Sequence, residues 1–231
     1  MEQTQQQTPV PLPLLLMKKM AQVMAHDIRN PLNNILLSTA QFKSGNLPDA
    51  EDTAFFIDII ERNCDRLNSL MEEILQAMQP LPAAEGSCNP ILVAQDLVKQ
   101  VEDKCALRNV QCSLQSSGEA TLAAPSGQFE KVLHHLLDNA VEAAPERDGR
   151  ILLDLTAKNE TLIITVRDNG PGIPEEQQDE VFLPFFTTKD RHRGLGLCFV
   201  QQFVNAHQGH IEMVSNSDGT SITLVLPAKT V

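Results

Sequence analysis

The 231-residue sequence contains no tryptophan and no tyrosine, and its formal net charge at pH 7 is −12. A surface that binds nucleic-acid phosphates needs clustered lysine and arginine, and no basic run is present, so a nucleic-acid partner is not expected. The five cysteines are odd in number and form no CxxC pair. This pattern predicts reduced, mostly buried thiols of a cytosolic protein and argues against a metal cluster.

Long hydrophobic runs are also missing. The early apolar stretch PVPLPLLLM is interrupted by prolines and is much shorter than the roughly 20 residues that cross a bilayer. The start of the chain has neither the charged region nor the small-residue cleavage site of a signal peptide. We therefore predict no membrane span, and a protein that is cytoplasmic or is the cytoplasmic part of a larger one.

The first 80 residues have helical periodicity in two long segments. Apolar residues recur every three or four positions from Leu14 to Lys43 and again from Phe56 to Met78, and the turn-forming stretch 44–49 separates them. One antiparallel hairpin cannot cover both of its apolar stripes, so a homodimeric four-helix bundle is expected. The predicted domains are an all-α domain over 1–80, a proline-rich linker over 81–90 and a second domain over 91–231.

The second domain alternates helical and strand patterns. Helices are predicted from Ile91 to Cys105, Phe129 to Ala144 and Leu195 to Ala206. Alternating or β-branched stretches predict strands at Gln111–Leu114, Thr121–Ala123, Arg150–Thr156, Thr161–Arg167, Ile211–Ser215 and Ser221–Leu226. This order predicts an α+β sandwich in which helices lie on one mixed or antiparallel sheet.

A polar trio in the first helix is the first candidate site. His26 and Asn30 are four residues apart and share a helix face, while Asp27 adjoins the histidine. An exposed neutral imidazole is a nucleophile near neutral pH, and a neighbouring carboxylate can accept or orient its ring proton. Pro31 removes one main-chain donor just past the histidine. Taken alone, an exposed histidine on a helix is more often only a solvated surface residue.

Three stretches of the second domain suit a nucleotide. Asp168-Asn169-Gly170-Pro171-Gly172-Ile173-Pro174 ends a strand in a glycine turn, where the backbone can approach a flat ligand. Arg193-Gly194-Leu195-Gly196-Leu197 opens a helix whose first amides favour phosphate. The helix HHLLDNAVEAA places His135, Asn139 and Glu142 on one face, and an asparagine oxygen suits magnesium. Taken one at a time, the first stretch is also typical of an ordinary turn, the second is a weak glycine motif, and the third is also typical of a polar helix face over an apolar core.

The order of these motifs resembles the sensor histidine kinases of two-component signalling. The stretches similar to the family's H, N, G1, F and G2 boxes are HDIRNPL, LLDNAVEA, DNGPGIP, VFLPFFTTK and RGLGL. The resemblance covers about Met20 to Pro227. It implies a dimeric histidine-phosphotransfer hairpin followed by a Bergerat-fold ATP-binding domain. It also implies a homodimer that uses ATP and Mg²⁺ and transfers a phosphoryl group to an aspartate of a response-regulator receiver domain.

The resemblance also implies a role for individual residues. His26 would accept the γ-phosphoryl group, Asp27 its proton, and Asn30 would orient water for dephosphorylation of the partner. Asn139 would hold Mg²⁺, Asp168 the adenine amino group, and Thr220 would reach the adenine edge through water. The lid would be Glu175 to Arg193, packed by Phe185 and Phe186. The other implied nucleotide-binding residues are His135, Gly170, Gly172, Ile173, Lys189, Arg193, Gly194, Leu195, Gly196 and Leu197.

Two positions depart from the family pattern. His135 stands where kinases usually have asparagine and where ATP-hydrolysing relatives have a glutamate base, so transfer is favoured over hydrolysis. The lid ends in Asp190-Arg191-His192-Arg193 rather than the usual Gly-Thr pair, and its guanidinium groups are expected to hold phosphate. Two alternatives remain open: a silent scaffold that binds nucleotide without phosphorylation, and a clamp that hydrolyses ATP.

Overall fold

In a computed structural model, the described residues are 12–43, 49–78, 81, 85–189 and 193–230. Residues 44–48 of the predicted turn, 82–84 of the predicted linker and 190–192 of the predicted lid lie outside them. The chain forms two compact units. The first is Met1–Met78 with Phe185–Arg193, and the second is Gln79–Pro184 with Gly194–Val231. The predicted domain limits stay predictions.

Two long helices make up most of the first unit, as the periodicity predicts. Helix α1 is Leu12–Gln41 and α2 is Ala50–Met78. Asp49 caps the start of α2, because its Oδ1 accepts a hydrogen bond from the Asp52 amide at 2.9 Å. Acidic residues in the first turn of α2 add a favourable interaction with the helix dipole.

The hairpin buries only one side of its apolar surface. Pro31 and Ser38 of α1 and Leu70 and Ile74 of α2 are buried. A second set of large apolar side chains stays exposed: Leu32, Leu36, Leu37, Phe55, Ile57, Met71 and Leu75. The described part of this unit therefore lacks a second layer over these side chains.

The second unit contains a five-stranded mixed sheet. The strands are β1 Val110–Ser117, β3 Gly149–Lys158, β4 Thr161–Asp168, β5 His210–Asn216 and β6 Gly219–Pro227. Their order in the sheet is β1-β3-β4-β6-β5. Strands β1 and β3 are parallel and the other neighbours are antiparallel, so of the two predicted alternatives, mixed or antiparallel, the sheet is mixed.

Helices cover one face of this sheet. They are α3 Pro90–Leu107, α4 Ser126–Ala143 and α6 Gly196–Ala206, with one short turn of helix, α5, at Glu175–Gln178. Asn89 caps α3 by accepting hydrogen bonds from Ile91 and Leu92. Phe129 of α4 and Phe203 of α6 are fully buried with ring centroids 6.3 Å apart, so the core lies between the helices and the sheet.

One small sheet pairs a predicted strand with one that was not predicted. The strand predicted at Thr121–Ala123 is the two-residue strand β2, Ala120–Thr121, and it pairs with β7, Lys229–Thr230. Strands this short have no sequence periodicity to recognise. Among the helices that the structure describes, none is long and apolar enough to span a membrane.

Candidate active site and nucleotide pocket

His26 lies on the outer face of α1. Its side chain is 72% exposed, and its Nδ1 lies 3.3 Å from Asp27 Oδ1. Helix α1 continues through Pro31, which has no amide hydrogen for the Asp27 carbonyl one turn earlier. The contact through Nδ1 directs Nε2 away from the carboxylate, so the imidazole has one ring nitrogen available to a substrate.

Asn30 follows His26 by one helical turn and is exposed on the same side of α1. Leu37 lies about three turns beyond His26, close to the same face. It lines a groove of about 550 Å³ between α1 and α2, together with Asn34, Ser38, Ile59, Arg62, Asn63 and Arg66. Helix geometry therefore places the phosphate-acceptor candidate and a large groove along one side of the hairpin.

The end of the predicted lid belongs to the first unit. Arg193, whose side chain is 24% exposed, forms an ion pair with Glu73 of α2, and its Nε lies 3.6 Å from Asp27 Oδ2. Asp27 thus adjoins His26 through one oxygen and Arg193 through the other. The Lys189 amide donates to Thr187 Oγ1 at 3.0 Å. The predicted nucleotide contacts of Lys189 and Arg193 stay predictions. The ion pair between Arg193 and Glu73 was not predicted.

Asp168 is the buried acidic residue of the second unit's candidate pocket. It is 7% exposed at the end of β4, and its Oδ1 accepts hydrogen bonds from the amides of Gly170 and Thr220 at 2.8 and 3.3 Å. These two donors fix the orientation of the carboxylate. The structure therefore brings Asp168 and Gly170, from the end of β4 and the turn after it, together with Thr220 of β6, and all three are among the predicted site residues.

Close backbone approach explains the glycines of this turn. Gly172 has φ +76°, and a Cβ there would lie 2.0 Å from the Asn216 carbonyl oxygen. A Cβ on Gly170 would lie 2.5 Å from the carbonyl oxygen of Ala143, near the end of α4. A side chain at either position would force the turn away from its neighbour.

Ser215 and Gln178 join the turn after β4 to β5, and neither was predicted. Ser215 Oγ lies 2.8 Å from Thr220 Oγ1 and accepts the amide hydrogen of Ile173 at 2.8 Å. Gln178 Nε2 donates to the carbonyl of Ile173 at 2.9 Å and to that of Ser215 at 3.2 Å. The turn after β4 is thereby joined to β5 and to the buried hydroxyl of Thr220.

Helix α4 lies alongside the glycine-rich start of α6. His135, Asn139 and Glu142 are each half-buried on α4, as the predicted shared face requires. A Cβ on Gly196 would lie 3.2 Å from His135 Nδ1, so the imidazole packs directly against the first turn of α6. The half-buried Leu195 and Leu197 flank Gly196, and Gly194 has φ +67°.

One cysteine, Cys198, follows the glycine-rich start of α6. All five cysteines are free; Cys88, Cys105 and Cys198 are buried. Burial raises the pKa of the Cys198 thiol, which follows Leu197 in α6. It therefore stays protonated and is a poor nucleophile near neutral pH.

Two family models match the chain. Residues 16–79 match the His Kinase A (phospho-acceptor) domain, and residues 125–230 match the histidine kinase-, DNA gyrase B-, and HSP90-like ATPase family. Together the two matches span more than half of the sequence. They follow each other in the order that the motifs predict.

Curated relatives agree with these matches. Sporulation kinase D of Bacillus subtilis is 32% identical over 221 residues, which are 93% of this chain and 42% of that protein. Sensory histidine kinase/phosphatase NtrB of Escherichia coli is 32% identical over 222 residues, 89% of this chain and 61% of that protein. The chain thus spans about two fifths to three fifths of these relatives.

Solved structures show the same fold. Histidine kinase ThkA in complex with response regulator protein TrrA has a TM-score of 0.63 and 25% identity, and the match covers 94% of this chain and 63% of that one. ShkA in complex with AMPPNP has a TM-score of 0.66 at 21% identity over 93% of this chain and 46% of that one. The hairpin with an exposed histidine and the α/β unit with a glycine-rich pocket define a two-component kinase core. The chain belongs to the sensor histidine kinase family.

Proposed function

We propose that this chain is the catalytic core of an ATP-dependent protein histidine kinase that phosphorylates His26. The principal support is the side chain of His26, which is exposed and has a carboxylate beside one ring nitrogen. The match of residues 125–230 to an ATPase family supports ATP as the phosphoryl donor.

In this mechanism, Nε2 of His26 attacks the γ-phosphorus of ATP. The N–P bond forms as the bond to the bridging oxygen breaks, and the electron pair leaves with ADP. Asp27 accepts the hydrogen of Nδ1 and balances the positive charge that develops on the ring. Asp168 would bind the adenine amino group, because its buried carboxylate is an acceptor held in a fixed orientation.

Magnesium fits the residues of α4. Asn139 and Glu142 supply oxygen atoms from one face of the helix, and Mg²⁺ prefers oxygen ligands. When bound, the ion would neutralise charge on the phosphates. Asn139 is the proposed ligand.

Dimerisation through the hairpin follows from its exposed apolar residues. Leu32, Leu36, Met71 and Leu75 are 43–58% exposed, and a second hairpin would bury them in a four-helix bundle. The five free thiols suit a reducing compartment such as the cytoplasm.

The proposed partner is a response-regulator receiver domain. The groove beside Leu37 combines apolar and amide side chains with Arg62 and Arg66, and lies along the same side of the hairpin as His26. A receiver docked there would bring its acceptor aspartate near the phosphorylated ring. The solved complex of ThkA with TrrA supports this assignment.

Incubation of the chain with γ-labelled ATP tests the kinase. We expect an acid-labile, base-stable label that disappears in His26→Gln and persists in the matched variant His210→Gln, whose histidine is exposed on β5. Nucleotide binding without label would identify a scaffold instead. Steady phosphate release without a phosphoprotein would identify an ATP-hydrolysing clamp.

Asn30 supports a second activity, dephosphorylation of the receiver. Its exposed amide lies one turn from His26, where it can orient a water molecule. We expect Asn30→Ala to slow loss of phosphate from a phosphorylated receiver at least about tenfold, less than the roughly 10²–10⁴-fold of a general acid or base because an amide only orients the water, while autophosphorylation is unchanged. Asn68→Ala on α2 is the control. An undiminished rate in Asn30→Ala would rule out this role.

A further inference from the structure

Contacts at the two ends of α4 indicate how the proposed nucleotide would be oriented along this helix. The carbonyl of Ala143, at the C-terminal end of α4, adjoins Gly170 in the turn that holds Asp168. Toward the start of the helix, His135 adjoins Gly196 at the first turn of α6. The adenine end of the proposed site therefore lies by the end of α4, and the phosphates extend toward its beginning.

Lys131 continues the line of polar residues on this helix. Residues 131, 135 and 139 are spaced by four, so they share one face, and each step advances about 6 Å along the axis. Asn139 is the proposed Mg²⁺ ligand and His135 adjoins Gly196. Lys131 lies one turn beyond His135, farther along the direction in which the phosphates of the proposed nucleotide would extend.

Contacts with Phe199 hold this lysine beside α6. Lys131 Nζ lies 4.5 Å from the centroid of the Phe199 ring, within cation–π distance. The same ring meets His135 edge to face, with centroids 5.6 Å apart. The ring thus connects the lysine to the imidazole that packs on Gly196.

The ammonium group of Lys131 forms no ion pair with a carboxylate among the described residues. In the part of the chain that the structure describes, no acidic side chain is within ion-pair distance of its Nζ, whereas Lys104 contacts Asp138 and Lys99 contacts Asp96. An ammonium group is a common phosphate ligand as a point charge. In a chain of net charge −12, a cation at this position offsets the repulsion of a polyanionic nucleotide.

We propose that Lys131 binds the terminal phosphate of ATP and makes the site prefer ATP over ADP. This inference depends on the proposed ATP site and adds a specificity residue to it. Lys131 is outside all the sequence motifs described above. An interaction with the γ-phosphate is absent for ADP and AMP, so the contribution of Lys131 depends on the number of phosphates.

The test is nucleotide affinity of the full chain with Mg²⁺, measured by calorimetry for ATP, ADP and AMP. Lys131→Met keeps an apolar stem against Phe199 but removes the charge. We expect its Kd for ATP to rise about tenfold, a typical effect of one charge-assisted contact, with less than about a threefold change for ADP and none for AMP. Lys131→Arg should restore the preference, and Lys99→Met is the matched control.

Equal losses for all three nucleotides, or an unchanged Kd for ATP in Lys131→Met, would overturn the inference. A purely structural lysine would change all three affinities together and would not alter their ratio. Asp168→Asn separates the two proposals, since loss of its carboxylate should weaken all three nucleotides. If the unmodified chain binds none of them, the proposed ATP site is wrong and the role of Lys131 with it.

Discussion

The two compact units differ in how completely one chain buries its apolar side chains. Phe129, Leu137 and Leu153 of the second unit are fully buried, whereas Leu36 and Met71 of the hairpin are 56% and 58% exposed. The second unit has a core of its own between helices and sheet. The hairpin reaches comparable burial only with another apolar surface, so its stability is expected to depend on association.

The largest expected effect is on the core of the second unit. Phe129→Ala removes a fully buried ring that contacts Phe203 and should lower the free energy of unfolding by about 3–5 kcal/mol. Urea unfolding followed by circular dichroism measures this change. Leu107→Ala in the same unit, at an 86% exposed residue, should change it by less than about 0.5 kcal/mol. Similar losses for both variants would contradict the assigned core.

A smaller effect is expected on dimerisation, from two adjacent leucines of α1. Leu36→Asp introduces a charge into the proposed dimer face and should raise the dimer dissociation constant at least about tenfold by sedimentation. Leu37→Asp alters the groove on the His26 side instead. It should leave the dimer intact and slow transfer from phosphorylated His26 to the receiver. The opposite pattern would reverse the assignment of the two faces.

A third prediction concerns a thiol in the second unit. Burial and the neighbouring Cys105 raise the pKa of Cys112 to about 12. Because pH 8 lies four units below this pKa, only about one ten-thousandth of the Cys112 population should be thiolate at pH 8, far less than for a thiol of ordinary pKa. Alkylation measured by peptide mass spectrometry should be slow in the native protein, faster as the pH rises toward 12, and rapid in urea. Equal native and unfolded rates at pH 8 would contradict the assigned environment.

Local periodicity predicted most of the fold. The stripe from Leu14 to Lys43 and the mixed helix and strand patterns after Pro90 correspond to observed elements, with ends shifted by a few residues. The pairing of Ala120–Thr121 with Lys229–Thr230 could not be predicted, because two-residue strands have no period and their partners are over 100 positions apart. Such contacts depend on tertiary packing.

The site was predictable where a motif lies in continuous sequence. Asp168, Gly170 and Gly172 come from one turn, and their approach to neighbouring backbone agrees with the glycine pattern. Ser215 has no local signal, since its contacts with Ile173 and Gln178 arise only when β5 lies beside the turn. Gln178 contacts Ile173 five residues earlier, but nothing in that short stretch marks its second contact, with the Ser215 carbonyl. Glu73 is likewise recognisable only through its ion pair with Arg193, 120 residues away.

The central claim is that a single exposed imidazole of the hairpin receives phosphorus from a nucleotide bound by the second unit. Mapping the phosphate by peptide mass spectrometry after incubation with ATP and Mg²⁺ tests it most directly, because the sequence contains six histidines. The account predicts the modification on His26 and its absence when Asp168→Asn prevents nucleotide binding. Phosphate on another histidine, or an unmodified His26 under conditions where ATP is consumed, would contradict it.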